Sequence, residues 1–457
     1  MAILKDVMYR KFCAYGFLKN FRFFDPFIIL FFRESGLSFL EIGVLFSIRA
    51  VATNLLEVPT GVIADAYGRR KAMISAFSFY ILSFALFYLV SCFSRYAMAM
   101  VLFAFGETFR SGTHKAMILE HLKIKGIAAS KVEYYGHTRA ASQLGSSIAA
   151  LIAAGLVFYT GGFRVVFLAS IVPYILALLL MISYPKELDG EIIPLKGKWK
   201  LRRASMRSAS MRFTSMRPAL IRLAGRIAAA LHGFASIFRR PLLLRGLANS
   251  ASFDALFRST KVYLQPILQA QALALPVLLF VRDEQRVAVV VGVLYFVLHL
   301  GTSYAAANAG RMRERAGSLP AAVNISYLLG VCLLGVAGVS AALRIYPLSI
   351  VAFLGFYMLQ NVRRPIMVGY LADLIPQRTM ATGLSVEFQL RTLLSAGIAP
   401  LVGLLADRIG VGGTLVIIAA VAAAGASLLR VRIKGGRNSE RPLVYIVQDG
   451  KQDRKEE

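Results

Sequence analysis

The feature of this sequence that most restricts its fold is a series of twelve apolar runs, none shorter than 20 residues, along a chain of 457 residues. A helix of about 20 apolar residues is long enough to cross the hydrocarbon core of a bilayer. Because lipid offers no hydrogen-bond partner to an open backbone, each run is predicted to be a transmembrane helix. The runs cover residues 12–32, 39–63, 72–93, 97–118, 135–159 and 164–184, and then 243–272, 287–307, 319–342, 347–368, 383–406 and 412–431. The sequence therefore predicts an all-α polytopic membrane protein with six helices on each side of a long polar interval.

The composition agrees with this prediction and excludes several other classes of protein. Hydrophobic residues make up 57% of the chain and charged residues 17%, against about 45–50% and 25% in soluble domains. A soluble enzyme and a disordered protein are therefore excluded. The net charge of +29 would suggest nucleic-acid binding in a soluble protein, but in a membrane protein it indicates basic cytoplasmic loops. Nucleic acid is not expected among the partners.

The distribution of basic residues between the links predicts the orientation. If the N-terminus is cytoplasmic, the links on that side carry most of the lysines and arginines. The basic residues of those links and of the tail include Arg69, Arg70, Lys71, Lys115, Lys123, Lys125, Lys131, Arg311, Arg313, Arg315, Arg378, Arg430, Arg432, Lys434, Arg437 and Arg441. By the positive-inside rule both termini are predicted to be cytoplasmic. The bilayer is expected to be the cytoplasmic membrane.

The polar interval divides the chain into domains. The predicted divisions are a six-helix bundle at 1–184, a basic cytoplasmic linker at 185–242, a second six-helix bundle at 243–432 and a cytoplasmic tail at 433–457. The linker carries thirteen Lys and Arg against three Asp and Glu, and its first part repeats Ser-Met-Arg every five residues, which is typical of a solvated, low-complexity segment. From Leu220 to Phe238, apolar residues at steps of three and four favour an amphipathic helix on anionic headgroups. A plain basic tether between the bundles is the alternative.

An internal repeat relates the two bundles. The pattern G-x-x-x-[DE]-x-x-G occurs at Gly61–Gly68, after the second run, and at Gly310–Gly317, after the eighth. Eighteen residues before each first glycine stands a matching tetrapeptide, Gly-Val-Leu-Phe at Gly43 and Gly-Val-Leu-Tyr at Gly292. The offset between the copies is 249 residues in both places.

A third motif adds to the repeat. The skeleton of Gly403–Gly410, with Asp407 at its centre, has a counterpart at Gly155–Gly162, at an offset of 248 residues. One short match of this kind is weak, but several in matching register on a frame of six plus six helices predict a duplicated bundle.

With these motifs the sequence resembles the major facilitator superfamily (MFS) over nearly the whole chain. The segment EVPTGVIADAYGRRKAM from Glu57 is similar to the signature between spans two and three, and APLVGLLADRIG from Ala399 resembles the usual end of span eleven. The resemblance implies twelve helices in two pseudo-symmetric bundles, a central site between them, and alternating access by rocking. The chain departs from the family pattern in two places. The second signature has Glu314 instead of Asp and lacks the Gly-Arg-Arg ending, and span five lacks the Gly-Pro motif of many exporters.

The signature residues are expected to form a gate. The set is Gly61, Asp65, Gly68, Arg69, Arg70, Gly310, Glu314 and Gly317. Glycines let helices and tight turns approach closely, whereas the macrodipole disfavours a carboxylate at a helix C-terminus, where Asp65 falls. We expect Arg69, Arg70 or a neighbouring helix N-terminus to compensate Asp65, in a latch that forms in one rocking state and breaks in the other. The alternative is a topology device whose basic residues only keep the loop inside.

Ionisable residues inside the apolar runs are costly in lipid and are expected to face a cavity. The predicted substrate or proton pathway consists of Arg22, Asp25, Glu57, Glu107, Arg110, Arg139, Asp254, Lys261, Glu387 and Arg391. Lys19, Arg22 and Asp25 are spaced by three and are expected on one helical face, and a similar stripe runs from Asp254 to Gln265. The carboxyls are candidate proton carriers, and the basic residues could hold them ionised or bind an anionic group of a substrate.

A purely structural role is the alternative explanation of these charges. Helices can be joined by static salt bridges near the membrane edge, and Arg49, Arg363 and Arg364 are expected as much to snorkel to the membrane surface as to line a cavity. At an offset of 248 residues Arg139 corresponds to Glu387, so the repeat places opposite charges at related positions.

Together with the resemblance, these features predict a secondary transporter that moves a small solute across the membrane, coupled to protons and with export favoured. An uptake symporter for a sugar or an organic anion is one alternative, and a non-transporting sensor or lipid-handling protein on the same fold is another. No enzyme, cofactor or metal site is expected, because the five histidines lack metal-ligand spacing and no phosphate-loop motif occurs. We expect a monomer whose partners are the substrate, a proton or other ion, and the lipid bilayer.

Overall fold

The computed structural model of the chain describes residues 6–127, 131–190, 241–276, 279–375 and 380–431, where the regular secondary structure is helical. The first half contains α1 Val7–Leu18, α2 Ile28–Glu34, α3 Phe39–Tyr67, α4 Arg69–Leu89, α5 Phe93–Arg110, α6 Thr113–Ile124, α7 Lys131–Thr160 and α8 Val165–Ile182. The second half contains α9 Pro241–Thr260, α10 Leu264–Ala274, α11 Asp283–Ala307, α12 Ala309–Ala316, α13 Leu319–Ala342, α14 Tyr346–Leu374 and α15 Met380–Ala426. Short 3₁₀ helices occupy Lys186–Asp189 and Lys261–Tyr263.

These helices make twelve crossings, because three spans are broken, one long helix contains two spans, and the short helix α12 lies in the link between spans eight and nine. Helices α1 and α2 form span one, α5 and α6 span four, and α9 and α10 span seven. Spans eleven and twelve lie in α15, where a kink at Gly410 (φ 75°, ψ 169°) separates them. Seven helices of the described part are long and apolar enough to cross a membrane. Helix α5 is not one of them, since Arg95, Glu107 and Arg110 fall within its 18 residues. The predicted all-α, six-plus-six architecture is confirmed.

Span one is interrupted where its charged residues lie. Residues 19–27 form turns between α1 and α2. Pro26 falls in this break, where its missing amide hydrogen breaks no helical hydrogen bond, whereas a proline in a helix interior would remove one. The expectation that Lys19, Arg22 and Asp25 share one helical face is therefore wrong, since α1 ends before them.

Span seven carries the corresponding break. Helix α9 gives way after Thr260 to the 3₁₀ helix, so the stripe from Asp254 to Gln265 changes helix type along its length. Pro266 lies in the first turn of α10, where its missing amide is not needed. Both breaks lie in the first span of their half.

Glycines of the repeat end helices in both halves. Gly68 follows α3 with a φ of 100° and Gly317 follows α12 with a φ of 73°, a region that favours glycine. At the third motif the corresponding turn glycines are Gly410, with a φ of 75°, and Gly161, with a φ of 70°. The sequence paired Gly410 with Gly162, which is wrong by one residue. The equivalent turn glycine is Gly161, which lies 249 residues before Gly410.

Two antiparallel helix pairs join the halves, and glycines allow them to approach closely. Helix α3 packs along α15, and α7 packs along α11. A Cβ added at Gly43 would meet the backbone of Ala399 in α15, and one at Gly292 would overlap Ala154 in α7. In a membrane, where close packing drives helix association, small residues serve this purpose. The repeated tetrapeptide therefore marks two equivalent contacts between the halves.

Several sequence predictions fall on residues that the structure does not describe. The Ser-Met-Arg repeat, the amphipathic helix and the cytoplasmic tail lie outside the described residues. At the start of the linker, the 3₁₀ helix Lys186–Asp189 packs against α4 and α6. The domain limits stay predictions.

Candidate transport site

The two halves are hydrogen-bonded to each other at one end of the molecule. We name the end where the chain enters α1 and leaves α15 the terminal end, and the opposite one the far end. At the far end Gln285 Nε2 donates to the carbonyl oxygen of Phe158 at 2.6 Å. Near the middle of α3, Asn54 Nδ2 donates to the carbonyl oxygen of Gln389 at 3.1 Å. The far half of the interface is therefore closed.

Hydrogen bonds of the side chain of Gln265 join the broken first span to the second half. That side chain is buried; Oε1 accepts a hydrogen bond from the amide of Ile29, and Nε2 donates to the carbonyl oxygen of Asp25, both at 2.8 Å. Ile29 lies in the first turn of α2, whose amides have no partner within the helix. One side chain thus satisfies backbone groups that the break leaves free. The sequence placed Gln265 on the polar stripe but did not indicate this contact.

The third repeat motif makes a second contact across the far end. The carboxylate of Asp407 accepts hydrogen bonds from the amides of Phe39 at 2.9 Å and Leu40 at 2.8 Å, at the N-terminus of α3. A carboxylate there satisfies free amides and is favoured by the helix dipole. Gly403, one turn earlier, lies against the backbone of Phe39. This is the kind of contact expected for Asp65, and the structure forms it at Asp407.

At the terminal end the first signature contacts its own half and the start of the linker. Arg69 Nη1 lies 3.5 Å from Glu120 Oε2 in α6, and the amide of Arg70 donates to Asp189 Oδ1 at 2.6 Å. Asp65 is exposed and forms no hydrogen bond or ion pair with the described residues. The partners expected for Asp65 are engaged elsewhere in this conformation, so the latch stays a prediction. Sequence reasoning missed Asp189 and Glu120, which come from distant parts of the chain.

The other gating positions are less engaged. Among the described residues, no heavy atom lies within 4 Å of a Cβ built at Gly61 or Gly310. The close approach expected at these glycines is therefore absent here. At Gly68, by contrast, the added Cβ would lie 2.9 Å from the carboxyl carbon of Asp189. Glu314 is exposed.

A polar network lies in the second half around Asp254, which is 9% exposed. Its Oδ2 accepts a hydrogen bond from Arg258 Nε at 2.6 Å and lies 3.7 Å from Arg391 Nε. Its Oδ1 accepts a hydrogen bond from Gln360 Nε2 at 2.7 Å. The structure thus brings together two members of the predicted pathway and adds Arg258 and Gln360.

Glu387 extends this network. Its Oε1 accepts a hydrogen bond from Ser250 Oγ at 2.9 Å, and its Oε2 lies 3.7 Å from Arg391 Nη1. The network connects α9, α14 and α15. Its two carboxylates are balanced by two guanidinium groups, those of Arg258 and Arg391.

The first half presents cations against tyrosines. Arg22 Nε donates to the hydroxyl of Tyr174 at 3.0 Å, and Arg110 Nε donates to the hydroxyl of Tyr80 at 3.1 Å. Arg110 also lies 3.7 Å from Glu107. These contacts orient the guanidinium groups but neutralise only that of Arg110.

Aromatic rings hold two of the arginines in place. The guanidinium carbons of Arg22 and Arg49 lie 5.4 Å and 5.5 Å from the centre of the Phe103 ring, within the range of cation–π attraction.

Arg363 is 2% exposed and donates to the carbonyl oxygen of Val323 at 2.6 Å. Arg363 is therefore buried among helices and does not snorkel.

Charges of the two halves face each other across a central space. Asp25 interacts electrostatically with Lys261 and Arg49, and Glu107 with Arg258. Asp25 and Arg258 are exposed although they lie in the middle of their spans. They therefore border a space between the halves, which is the candidate transport site.

More cations stand on the terminal side of this space. Lys115 and Arg139 of the first half interact with Arg364 of the second, and all three are exposed. Between Asn54 and the terminal end, no hydrogen bond of the described residues joins the halves. The space therefore opens toward the terminal end.

The five predicted carboxyls fall into two groups. Three have an arginine within 4 Å, namely Glu107, Asp254 and Glu387. Among the described residues Asp25 and Glu57 have no ion pair, and Glu57 Oε2 is buried without a hydrogen-bond partner. An unpartnered carboxylate away from water is costly when charged. Among the described residues, Asp25 and Glu57 thus differ from the other three carboxyls in having no ion pair.

The broken spans, the two glycine-paired helix contacts and the charged space between six-helix halves define the class of the protein as a membrane transporter. The chain belongs to the Major Facilitator Superfamily, whose family model matches residues 12–389. The MFS-type transporter YxaM of Bacillus subtilis (strain 168) is 33% identical over 90 residues, which are 20% of this chain and 23% of YxaM. The chain thus matches less than a quarter of the length of this relative.

Solved transporter structures share the fold. The nucleoside transporter NupG is similar with a TM-score of 0.68 at 10% identity, and the match covers 93% of this chain and 98% of NupG. The peptide transporter POT in complex with sulfate is similar with a TM-score of 0.63 at 14% identity, over 92% of this chain and 94% of POT. At these identities the similarity concerns the fold alone.

Proposed function

We propose that the protein is a proton-coupled secondary transporter that moves a small solute across the cytoplasmic membrane by alternating access. The observation that carries the proposal is the charged space between the halves, closed at the far end and open at the terminal end. Family membership supports transport, and the unpaired carboxyls of Asp25 and Glu57 support proton coupling.

The gate residues are proposed to act in turn. Here the far end is held by Gln265 and Asp407, and Asp65 has no partner among the residues that the structure describes. Helices α3 and α15 are antiparallel, and Asp407 of α15 lies at the N-terminus of α3. By the same relation, Asp65 at the C-terminus of α3 is placed near the N-terminus of α15. In the opposite state Asp65 is proposed to accept hydrogen bonds from the first amides of α15, while Asp407 releases its own.

The terminal end is proposed to face the cytoplasm. The basic links lie at this end, as the positive-inside rule requires. The proposed monomer then has both termini inside, with its two bundles joined by the basic linker.

Two directions of transport are candidates. Export is the direction that the family resemblance favoured. Uptake of a solute together with protons is the second candidate, and it is favoured by the excess of cations in the space, which suits an organic anion.

Flux in proteoliposomes tests the proposal. The purified protein is reconstituted, a pH gradient is imposed, and accumulation or loss of radiolabelled solutes from a broad panel is followed. We expect flux that stops when nigericin dissipates the gradient and that is absent from protein-free liposomes. Its direction relative to the gradient separates symport from antiport. If no solute shows gradient-dependent flux, coupled transport is wrong and a sensor on this fold becomes the better interpretation.

A further inference from the structure

We propose that the solute carried in the central space is an organic anion, held by arginine and lysine side chains from both halves. This inference rests on the proposed function, because it names the substrate class of the same site. It is carried by the balance of charge at the centre of the space and by the donors left free there.

The centre of the space has an excess of positive charge. Arg22, Arg49 and Lys261 all interact with the carboxyl of Asp25, and the two arginines also interact with that of Glu107. The neighbouring carboxylate of Glu107 is paired with Arg110. Charges at membrane depth are costly unless something balances them, and the described residues supply too few carboxylates to do so.

The cations at the centre also have free donors. The side chains of Arg49 and Lys261 donate no hydrogen bond to any described residue, and that of Arg22 donates only through Nε, to Tyr174. A guanidinium has five N–H donors in a fork that matches a carboxylate or a phosphate. The Phe103 ring beside both arginines fixes their planes without using those donors. The arrangement suits an anionic group and leaves a neutral solute with unpaired charges around it.

The position of the cations explains how an anion would drive the cycle. Arg22 and Arg49 belong to the first half and Lys261 to the second, so their like charges repel across the open space. An anion between them replaces repulsion by attraction, which favours approach of the halves and closure of the terminal end. A neutral solute makes no such difference between the open and closed states.

Protons and the anion are expected to bind together. The titratable and charged groups that face Asp25 are Arg22, Arg49, Glu107, Lys261, Tyr295 and Tyr357. An ionised Asp25 competes with the anion for the same cations, whereas a protonated Asp25 does not. The anion should therefore bind more tightly as the pH falls, which favours symport, the second of the two candidate directions.

Thermal unfolding of the purified protein at constant ionic strength tests the inference with matched pairs of compounds. The pairs are ribose phosphate with ribose, uridine monophosphate with uridine, and succinate with succinamide. A ligand that binds the folded state raises the unfolding temperature. We expect the anionic member of at least one pair to do so and its neutral partner not to, and the pairs separate phosphate from carboxylate recognition.

Variants locate the binding. Arg49→Gln and Lys261→Gln are each expected to weaken the anion's apparent affinity by about tenfold (about 1.4 kcal/mol), because each removes a charged hydrogen-bond donor. Arg49→Lys should retain part of the stabilisation by the anion, and Arg344→Gln, on an exposed far-end link, should retain all of it.

The inference is overturned if the neutral partners raise the unfolding temperature equally, if no anion raises it, or if Arg49→Gln and Lys261→Gln bind the anion as the wild type does. If only neutral solutes show gradient-driven flux, the inference of an organic anion is wrong and the proposal of proton-coupled transport stands. If an anion binds but no solute shows flux, the inference of an anion stands and the proposal of coupled transport is wrong.

Discussion

Asp25 lies in the break of span one, and its main chain and side chain face different groups. The carbonyl oxygen accepts a hydrogen bond from Gln265 at the closed far end, and the carboxyl interacts with Arg49 of its own half and with Lys261 across the space. A change in the charge of the carboxyl therefore alters the attraction between the halves at the point where they are joined. This is how a proton could be coupled to rocking.

Replacement of Asp25 by Asn should abolish proton-driven accumulation. The amide keeps the size of the carboxyl but cannot carry a proton. Exchange of labelled for unlabelled solute, which needs no net proton movement, should continue. Both are measured in proteoliposomes, with Asp373→Asn, an exposed carboxyl of α14, as the matched control. Wild-type accumulation by the Asp25→Asn variant would remove Asp25 from the proton path.

At the residue scale the sequence indicates which side chains matter better than it indicates their partners. A charge inside an apolar run is visible in the sequence, and so are pairs one helical turn apart, such as Asp254 with Arg258. The contact of Asp254 with Gln360 joins residues 106 apart in the chain. Such a contact depends on how α9 and α14 pack, which no local pattern encodes.

Single helices were predicted well, and the breaks within them were not. The apolar runs correspond to the observed spans because the bilayer imposes length and composition on each of them. The break at residues 19–27 is hidden by its phenylalanines, which keep the run apolar while the helix ends. Pro26 is the signal that could have revealed it, since proline is disfavoured in a helix interior.

The pairing of α7 with α11 depends on a small residue at the contact. Gly292→Leu should force these helices apart at the far end, at a cost of about 1–3 kcal/mol. Gly155→Leu on α7 is the matched control, because a Cβ there meets no heavy atom within 4 Å among the described residues. We expect the Gly292 variant to unfold at a lower temperature and to lose flux, and the control to keep both. Full flux in the Gly292 variant would show that the far end does not need this contact.

The conformation of the whole molecule could not be predicted from the sequence. The two signatures and the third motif predict gates at both ends. One sequence must encode both the open and the closed state of each gate, so it does not select between them. In this structure the contact at Asp407 is made and Asp65 has no partner among the described residues, in agreement with a state that is open at the terminal end.

The orientation of that state in the membrane can be tested with a native cysteine. Cys92 is exposed in the link between α4 and α5, at the far end. The contact of its Sγ with Ser94 Oγ, at 3.6 Å, lowers the pKa of the thiol, and the thiolate is the form that reacts with maleimides. If the far end is outside, a membrane-impermeant maleimide added to intact cells should label the protein, and Cys92→Ser should abolish this labelling. Labelling of Cys92 only after permeabilisation would place the far end in the cytoplasm. The observed state would then be open to the outside, and the assignment of both termini to the cytoplasm would be reversed.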